Sequence, residues 1–243
     1  MFLHSGLENP GTPTGSRFVR AFKESVYDPS IWFGLASMSV IALSGEEKNI
    51  VYWASGTTPL FGSQERAEQI SDYLRYVSLG TTALIYSFKN FPREEWDPRD
   101  AAFNAAAAGA ATTITASTTL GLKYSTSRLR PDSSDTHSFL SGHTSIAAVS
   151  NTLSFNMLEG VSLPRSYRAF SRCGLTALTA ATAWARLEAG KHYPSDVIAA
   201  AVLGRFIANL TYRTIMGPYS PKDSRIDLFI TPDMLELRLA FSL

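Results

Sequence analysis

Three short motifs between positions 123 and 196 hold the residues whose types and spacing could carry out chemistry. In chain order they are Lys123-x6-Arg130-Pro131, Ser141-Gly142-His143 and Arg186-x5-His192-x3-Asp196. Together they supply three cations, two histidines, one carboxylate and a Ser-Gly turn. A tetrahedral oxyanion is held by fixed cations and backbone N–H donors, and its chemistry needs a nucleophile and an acid. The motifs therefore predict a site that binds and transfers a phosphate group.

Each residue type has a physical reason to be in such a site. The Ser-Gly-His motif is expected to begin a helix, where unpaired N–H groups attract anions and glycine lets a phosphate approach closely. Arg130 and Arg186 can bind phosphate oxygens with two parallel hydrogen bonds, whereas Lys123 contributes a compact charge. We expect Lys123 at the C-terminal end of a helix, where the macrodipole favours a cation.

The three motifs resemble the signature of the phosphatidic acid phosphatase type 2 (PAP2) superfamily, which includes the class A bacterial acid phosphatases and the vanadium haloperoxidases. That signature reads Lys-x6-Arg-Pro, Pro-Ser-Gly-His and Ser-Arg-x5-His-x3-Asp. The sequence departs from it at Leu140, in place of proline, and at Ala185, in place of serine. The first change removes a fixed φ before the turn, and the second removes a hydroxyl donor.

The resemblance implies a role for each matching residue. His192 would be the nucleophile that forms a phosphohistidine, and Asp196 would accept a hydrogen bond from its far ring nitrogen. His143 would protonate the leaving oxygen and then activate water. The remaining residues would bind phosphate: Lys123, Arg130, Ser141, Gly142 and Arg186. The expected reaction needs no metal and no cofactor, and vanadate should act as a phosphate mimic.

Three functions are compatible with these residues. The leading one is a metal-independent phosphatase for phosphate monoesters, either soluble or lipid-linked. The second is a vanadate-dependent haloperoxidase with vanadate as cofactor, although members of that group tend to be much longer. The third is a non-catalytic protein that binds phosphate or phospholipid, and the intact pair His143 and His192 argues against it.

Composition and charge narrow the class of protein. The chain has 243 residues, of which 45% are hydrophobic, so a single domain can bury a sizeable core. A formal net charge of +1 argues against a nucleic-acid partner. The single cysteine, Cys173, excludes an internal disulfide, and its apolar surroundings predict a buried thiol. The sequence does not indicate an oligomeric state.

Helix signals surround the motifs, so the resemblance and the pattern agree on an all-α helical bundle of the PAP2/haloperoxidase type. Asp28-Pro29, Asp97-Pro98 and Pro194 are expected to begin helices. The alanine-rich stretch 101–122 predicts a helix buried at the centre of the bundle. Residues 226–230 and 235–239 alternate in polarity, which indicates a short β-hairpin or extended tail. We therefore divide the chain into a flexible lead-in (1–15), one helical domain (16–217) and a tail (218–243).

Several residues near these motifs have simpler interpretations. Arg128 is expected to be solvated or to cap a loop, and Asp132 and Asp135 to form the loop itself. His137 is expected at the surface. Tyr52 and Trp53 are both expected to serve the core.

The apolar stretches are too short for the roughly 20 residues that a membrane span needs. Stretch 31–43 is brief, 74–88 contains Arg75, and 101–122 consists mainly of small residues. The pattern predicts a soluble protein or one with peripheral membrane contact through its aromatic-rich first half and its tail. The N-terminus lacks the features of a signal peptide. The resemblance, however, implies an extracytoplasmic (periplasmic) active site, so we expect an export segment to have been removed.

Overall fold

Local capping residues set the helix boundaries. Asp28 accepts a hydrogen bond from the Ser30 N–H at 3.0 Å and Pro29 occupies the first turn, so a helix begins there. Gly45, with φ of 77°, ends the same helix in the left-handed conformation. Before Pro194, the Asp196 carboxylate accepts the Tyr193 N–H at 2.8 Å and fixes the start of the last helix.

The computed structural model describes residues 14–57, 59–88, 98–159, 161, 163–216, 224–231 and 234–241. Its α-helices are α1 (Thr14–Val26), α2 (Pro29–Ser44), α3 (Glu47–Tyr52), α4 (Gln64–Phe88), α5 (Pro98–Thr126), α6 (Gly142–Glu159), α7 (Arg165–Glu188) and α8 (Pro194–Thr211). Two π-helical segments, Trp53–Thr57 and Tyr212–Met216, continue α3 and α8. The predicted all-α helical bundle is confirmed.

Helix α6 lies at the centre of the bundle and packs against α4, α5, α7 and α8. Its buried apolar residues Val149, Leu153 and Met157 form a core with α5 and α8. The crossing with α8 is close because Gly204 has no side chain: a Cβ there would lie 2.5 Å from the Ser145 carbonyl oxygen. This crossing fixes the relative position of two helices that both begin at the predicted site.

Helix α5 is buried on one face and not all round, which corrects the expectation of a central alanine-rich helix. Ala107, Ala108 and Ala111 are buried, whereas Ala105 and Ala106 are exposed. Small residues allow α5 to approach α6 closely, but α6 carries the large core side chains. The central position therefore belongs to the helix with the greater apolar volume.

Three further expectations about burial are wrong. Cys173 is exposed, because α7 turns Leu175 and Thr182 toward the core and residue 173 lies on the opposite face. Tyr52 is 74% exposed and Trp53 is 48% exposed, although the Trp53 ring contacts Trp184 edge to face. Aromatic residues in a short helix at the edge of the bundle do not reach its core.

The N-terminal helices cover α8 and present apolar residues outward. Helices α1 and α2 both pack on α8. In α2, Ile31 is buried, whereas Trp32, Phe33, Val40 and Leu43 are exposed. No single helix within the described residues is long and apolar enough to cross a membrane; α1 and α2 together, bent by 47° at their junction, meet the length and composition criteria.

At the C-terminus the structure places an antiparallel pair of strands, β1 (Ser224–Thr231) and β2 (Met234–Phe241). Its register pairs Ser224 with Phe241 and Thr231 with Met234. The predicted lead-in lies outside the described residues up to position 13, and α1 already begins at Thr14. The division of the chain into a lead-in, a domain and a tail stays a prediction.

Candidate active site

Three helix ends, one loop and one turn bring the three motifs together. The C-terminal ends of α5 and α7 supply Lys123 and Arg186, and the N-terminal end of α6 supplies Gly142 and His143. Arg130 comes from the loop between α5 and α6, and His192 from the turn before α8. These six residues line one cavity of about 330 Å³. Residues 69 positions apart in sequence thus share one wall because their helices end at the same side of the bundle.

The other two predicted residues lie behind this wall. Ser141 is fully buried, and its hydroxyl accepts hydrogen bonds from the N–H and the hydroxyl of Thr144, so it caps α6. The Ser141 N–H points to the Asp196 carbonyl oxygen at 3.4 Å and not to the cavity. Asp196 is also fully buried. Neither the hydroxyl nor the N–H of Ser141 is directed at the cavity, and the residue orients the start of α6.

The two departures from the signature fall at buried positions. Leu140 packs against Ala199 and Ala200 at the start of α8. Ala185 is fully buried in α7 beside Arg186. The apolar contact of Leu140 provides an anchor for the segment that precedes the Ser-Gly turn.

His192 is held by a main-chain oxygen. Its Nδ1 lies 2.6 Å from the Ser138 carbonyl oxygen, which can only accept, so Nδ1 carries the proton and Nε2 keeps its lone pair. The expected hydrogen bond to Asp196 is not formed, since the nearer carboxylate oxygen lies 3.8 Å from Nδ1. Burial lowers the pKa of His192 to about 4, Arg186 and Lys123 lower it as well, and Asp196 opposes them. The ring is therefore neutral at physiological pH.

Asp196 forms a set of bonds behind His192. Its Oδ2 accepts from the Ser138 hydroxyl at 2.5 Å and from the Tyr193 N–H, and its Oδ1 accepts from Arg128 at 2.5 Å. Burial would raise the pKa of Asp196, but these donors and the neighbouring His192 outweigh it and keep the pKa below its usual range. The carboxylate stays charged and joins the loop before α6 to the start of α8.

Sequence reasoning missed the role of Arg128. Instead of lying in solvent or capping a loop, it donates to Asp196, to the Ser195 hydroxyl at 2.8 Å and to Glu47 at 2.5 Å. Glu47 is the first residue of α3, and nothing in a single sequence links it to a residue 81 positions away.

Helix α4 supplies two more residues that the sequence did not indicate. Asp72 lies 2.8 Å from His143 Nε2 and 3.1 Å from the Arg75 guanidinium. Arg75 lines the cavity and adds a fourth cation to its wall. Burial lowers the pKa of His143 to about 4 and Arg186 lowers it further, whereas the bond to Asp72 raises it.

The predicted cations are positioned by neighbouring oxygen atoms. Lys123 donates to the His137 carbonyl oxygen at 2.6 Å, and Arg130 donates to Asp135 at 2.7 Å. Burial lowers the pKa of Lys123 to about 8, and the nearby Arg130 lowers it further.

Arg186 is the most buried of the three predicted cations, at 3% exposure. One of its terminal nitrogens donates to the Ser71 hydroxyl at 3.1 Å, but its buried Nε has no hydrogen-bond partner among the described residues. An unpaired buried N–H group is costly, so Arg186 keeps an unused donor in a residue that lines the cavity. Within the same residues, no group of three His, Cys, Asp or Glu side chains could hold a metal ion.

Comparisons with known proteins identify a similar family and a similar fold. The sequence profile of the PAP2 superfamily matches residues 104–218, from α5 to the end of the bundle. Among solved structures, the transmembrane PAP2-type phosphatidylglycerolphosphate phosphatase from Bacillus subtilis has a similar fold, with a TM-score of 0.54 and 20% identity over 75% of this chain and 92% of that one. A comparison with curated proteins gives no match. The chain is thus similar to the PAP2 superfamily over residues 104–218, and it shares the helical fold of the Bacillus subtilis enzyme.

Proposed function

We propose that the protein is a metal-independent phosphatase that hydrolyses phosphate monoesters through a phosphohistidine at His192. The match of residues 104–218 to the PAP2 superfamily supports a phosphatase. The observation that carries the proposal is the state of His192, whose Nδ1 proton is donated to the Ser138 carbonyl oxygen while its neutral ring lines a cationic cavity. A neutral imidazole with its lone pair on Nε2 can attack phosphorus.

The reaction has two balanced steps. In the first, His192 Nε2 forms a bond to phosphorus, the ester P–O bond breaks, and His143 gives its proton to the leaving alkoxide. In the second, water attacks phosphorus, the P–N bond breaks, and His143 takes the proton from the water. Charge on the equatorial oxygens is stabilised throughout by the surrounding cations: Lys123, Arg130 and Arg186.

Binding of the substrate would protonate His143, which allows this histidine to act as an acid. With a pKa of about 4, this histidine is neutral at physiological pH when no anion lies beside it. A bound phosphate dianion within a few ångströms raises the pKa of a histidine, because opposite charge favours the protonated form. We therefore expect substrate binding to be accompanied by the uptake of a proton at His143.

The outward apolar residues of α2 favour a lipid-linked substrate at a membrane surface. Trp32 and Phe33 are more than half exposed, and in the sequence of α1 Arg17 precedes exposed Phe18 and Lys23 follows exposed Phe22. Basic and aromatic residues on neighbouring helices are typical of contact with anionic lipid. We infer that the protein associates with a membrane on its extracytoplasmic side and acts on the phosphate of a phospholipid or a related ester.

The test is the release of inorganic phosphate from an aryl phosphate, phosphatidate and phosphatidylglycerol phosphate, with a metal chelator present. His192→Ala should abolish release, whereas His137→Ala, a histidine whose side chain lies outside the cavity wall, should leave it nearly unchanged. Rapid quenching with labelled ester should trap a phosphoenzyme that is stable to base and labile to acid. If neither the wild type nor the control releases phosphate from any ester, the proposed function is wrong.

A further inference from the structure

Glu47, at the start of α3, reaches the back of the candidate site from outside the segment that matches the family. Its side chain is only 12% exposed. One carboxylate oxygen accepts from Arg128, and the other accepts from the Ser195 N–H at 3.1 Å. A single acidic residue thus contacts both the loop before α6 and the first turn of α8.

Arg128 is shared between two carboxylates. One terminal nitrogen donates to Glu47 and the other to Asp196. Its guanidinium carbon lies 4.3 Å from the centre of the Tyr193 ring, which fixes the plane of the group by a cation–π contact. The charge of Arg128 is therefore compensated by two carboxylates, and the Tyr193 ring fixes the orientation of its guanidinium group.

A continuous series of contacts runs from Glu47 to the proposed nucleophile. Arg128 contacts Asp196, Asp196 accepts from the Ser138 hydroxyl, and the carbonyl oxygen of the same Ser138 accepts the Nδ1 proton of His192. The Arg128 carbonyl oxygen also accepts the Ser138 N–H at 2.9 Å. Glu47, Arg128 and Asp196 do not line the cavity, so this series of contacts lies behind its wall.

We propose that Glu47 is a positioning residue for His192: it holds Arg128, and through Arg128 the Asp196–Ser138 pair that sets the ring. The role in catalysis rests on the proposed phosphatase function, but the contacts to His192 do not. Without Glu47, Arg128 would keep Asp196 as its only carboxylate partner, and the Ser195 N–H at the start of α8 would lose its acceptor. The His192 ring would then be held less firmly against a phosphorus atom.

The charges around His192 affect its pKa, so a change in this series of contacts can be detected as a change in that pKa. The ring is faced by Lys123 from α5, Arg186 from α7 and Asp196 from α8, with Arg128 behind Asp196. Removing the negative charge of Glu47 leaves more uncompensated positive charge near the ring, which disfavours its protonation. Removing the positive charge of Arg128 has the opposite effect.

Steady-state kinetics of Glu47→Gln provide the first test, with Glu46→Gln as the matched control. Glu46 carries the same charge at the start of the same helix, but its exposed carboxylate binds Asn49 and not Arg128. We expect Glu47→Gln to lower kcat by about tenfold with little change in KM, because misplacing a reacting group costs rate more than binding. Glu46→Gln should match the wild type. Equal values of kcat for the two variants would overturn the proposal, as would a loss confined to KM.

A double-mutant cycle with Arg128→Gln tests whether the two residues act together. If Glu47 acts through Arg128, the double variant should be no slower than Arg128→Gln alone. Losses that simply multiply would contradict the proposal. Thermal melts of all four proteins identify a variant that has lost its fold, and the comparison of Glu47→Gln with Glu46→Gln decides the question if Arg128→Gln does not fold.

The titration of His192 separates this inference from the proposed function. In full-length protein labelled at its four histidines, NMR would follow the His192 ring across the acid range. Glu47→Gln should shift its midpoint to lower pH, Arg128→Gln to higher pH, and Glu46→Gln not at all. These shifts are expected even if the protein releases no phosphate. An unchanged His192 midpoint in Glu47→Gln would show that Glu47 does not influence the His192 ring and would contradict the proposal.

Discussion

The two histidines of the cavity have carboxylates nearby, but in different arrangements. Asp72 lies within hydrogen-bond distance of His143, at 2.8 Å, and its side chain is 44% exposed. Asp196 is buried and lies 3.8 Å from the His192 ring. Burial keeps both rings neutral in the free protein, and the direct contact with Asp72 partly opposes this effect at His143, where the proposed acid role needs the charged imidazolium. Under the proposed function, a bound phosphate would add to the effect of Asp72 and favour the protonated form of His143.

Lys123 should give the site an alkaline limit. Its pKa is lowered to about 8, so the free protein loses this cation as the pH rises through that value. Since the charged form binds the anion, inhibition by phosphate or vanadate should weaken above about pH 8, at most about tenfold per pH unit. Lys123→Arg should retain tight inhibition to higher pH, because arginine stays charged.

Lys191→Arg is the control for this measurement. Lys191 pairs with Glu68 and Asp132 and is not part of the cavity wall. Its replacement should leave the pH dependence of the inhibition constant unchanged. An identical alkaline decline in wild type and Lys123→Arg would show that Lys123 does not hold the anion.

At the scale of elements, the site depends on how closely α6 and α8 cross. Both helices begin at the cavity, and their contact at Gly204 leaves no room for a Cβ: one placed there would lie 2.8 Å from the Ala148 Cβ and 2.5 Å from a backbone oxygen. Neither neighbour is the flexible end of a long side chain. The helices would have to move apart to accept any larger residue.

Gly204→Ala should therefore destabilise the protein by about 1–3 kcal/mol, the usual cost of overpacking. Gly109→Ala is the matched control, since Gly109 also lies inside a helix but has nothing within 4 Å of its Cβ position. That substitution should stabilise the protein by up to about 1 kcal/mol through helix propensity. The free energy of unfolding, measured with denaturant, distinguishes the two. Equal effects of the two substitutions would contradict a close crossing.

The sequence predicted the features that depend on residues close together in the chain, namely helix starts and the spacing within each motif. Capping residues such as Asp28-Pro29 and Pro194 set helix starts within a residue or two, and the spacing inside each motif indicated residues that now share one cavity. The contacts of Glu47, Asp72 and Arg128 were not predictable, because they join helices far apart in sequence. The exposure of Cys173 was missed for a related reason: a residue's burial depends on which face of its helix meets a neighbour.

At the scale of the whole molecule, the N-terminal helices contribute to both the site and the outer surface. Helices α3 and α4 lie outside the matched residues 104–218, yet they supply Glu47, Asp72 and Arg75 to the site. Helix α2 buries only Ile31 and leaves most of its apolar residues exposed. Apolar surface of this extent on one helix is typical of a contact with another apolar phase.

A vesicle-binding experiment tests that surface. We expect the protein to float with vesicles of phosphatidylglycerol and phosphatidylcholine. Replacing Trp32 and Phe33 together by serine should weaken binding by at least about tenfold, given about 1.5–3 kcal/mol for each buried apolar side chain. Ser39→Ala, an exposed position of the same helix, should bind like the wild type. If the variant with serine at both Trp32 and Phe33 binds vesicles as well as the wild type does, α2 does not contact the membrane.

The Ser138 carbonyl oxygen that accepts the His192 proton belongs to the main chain, and this has an evolutionary consequence. A side-chain acceptor can be lost through one codon change, whereas every amino acid at position 138 would still present a carbonyl oxygen. The tautomer of His192 is thus protected against point mutation as long as the backbone keeps its path. Mutations can alter this tautomer only at residues that determine the backbone conformation around Ser138.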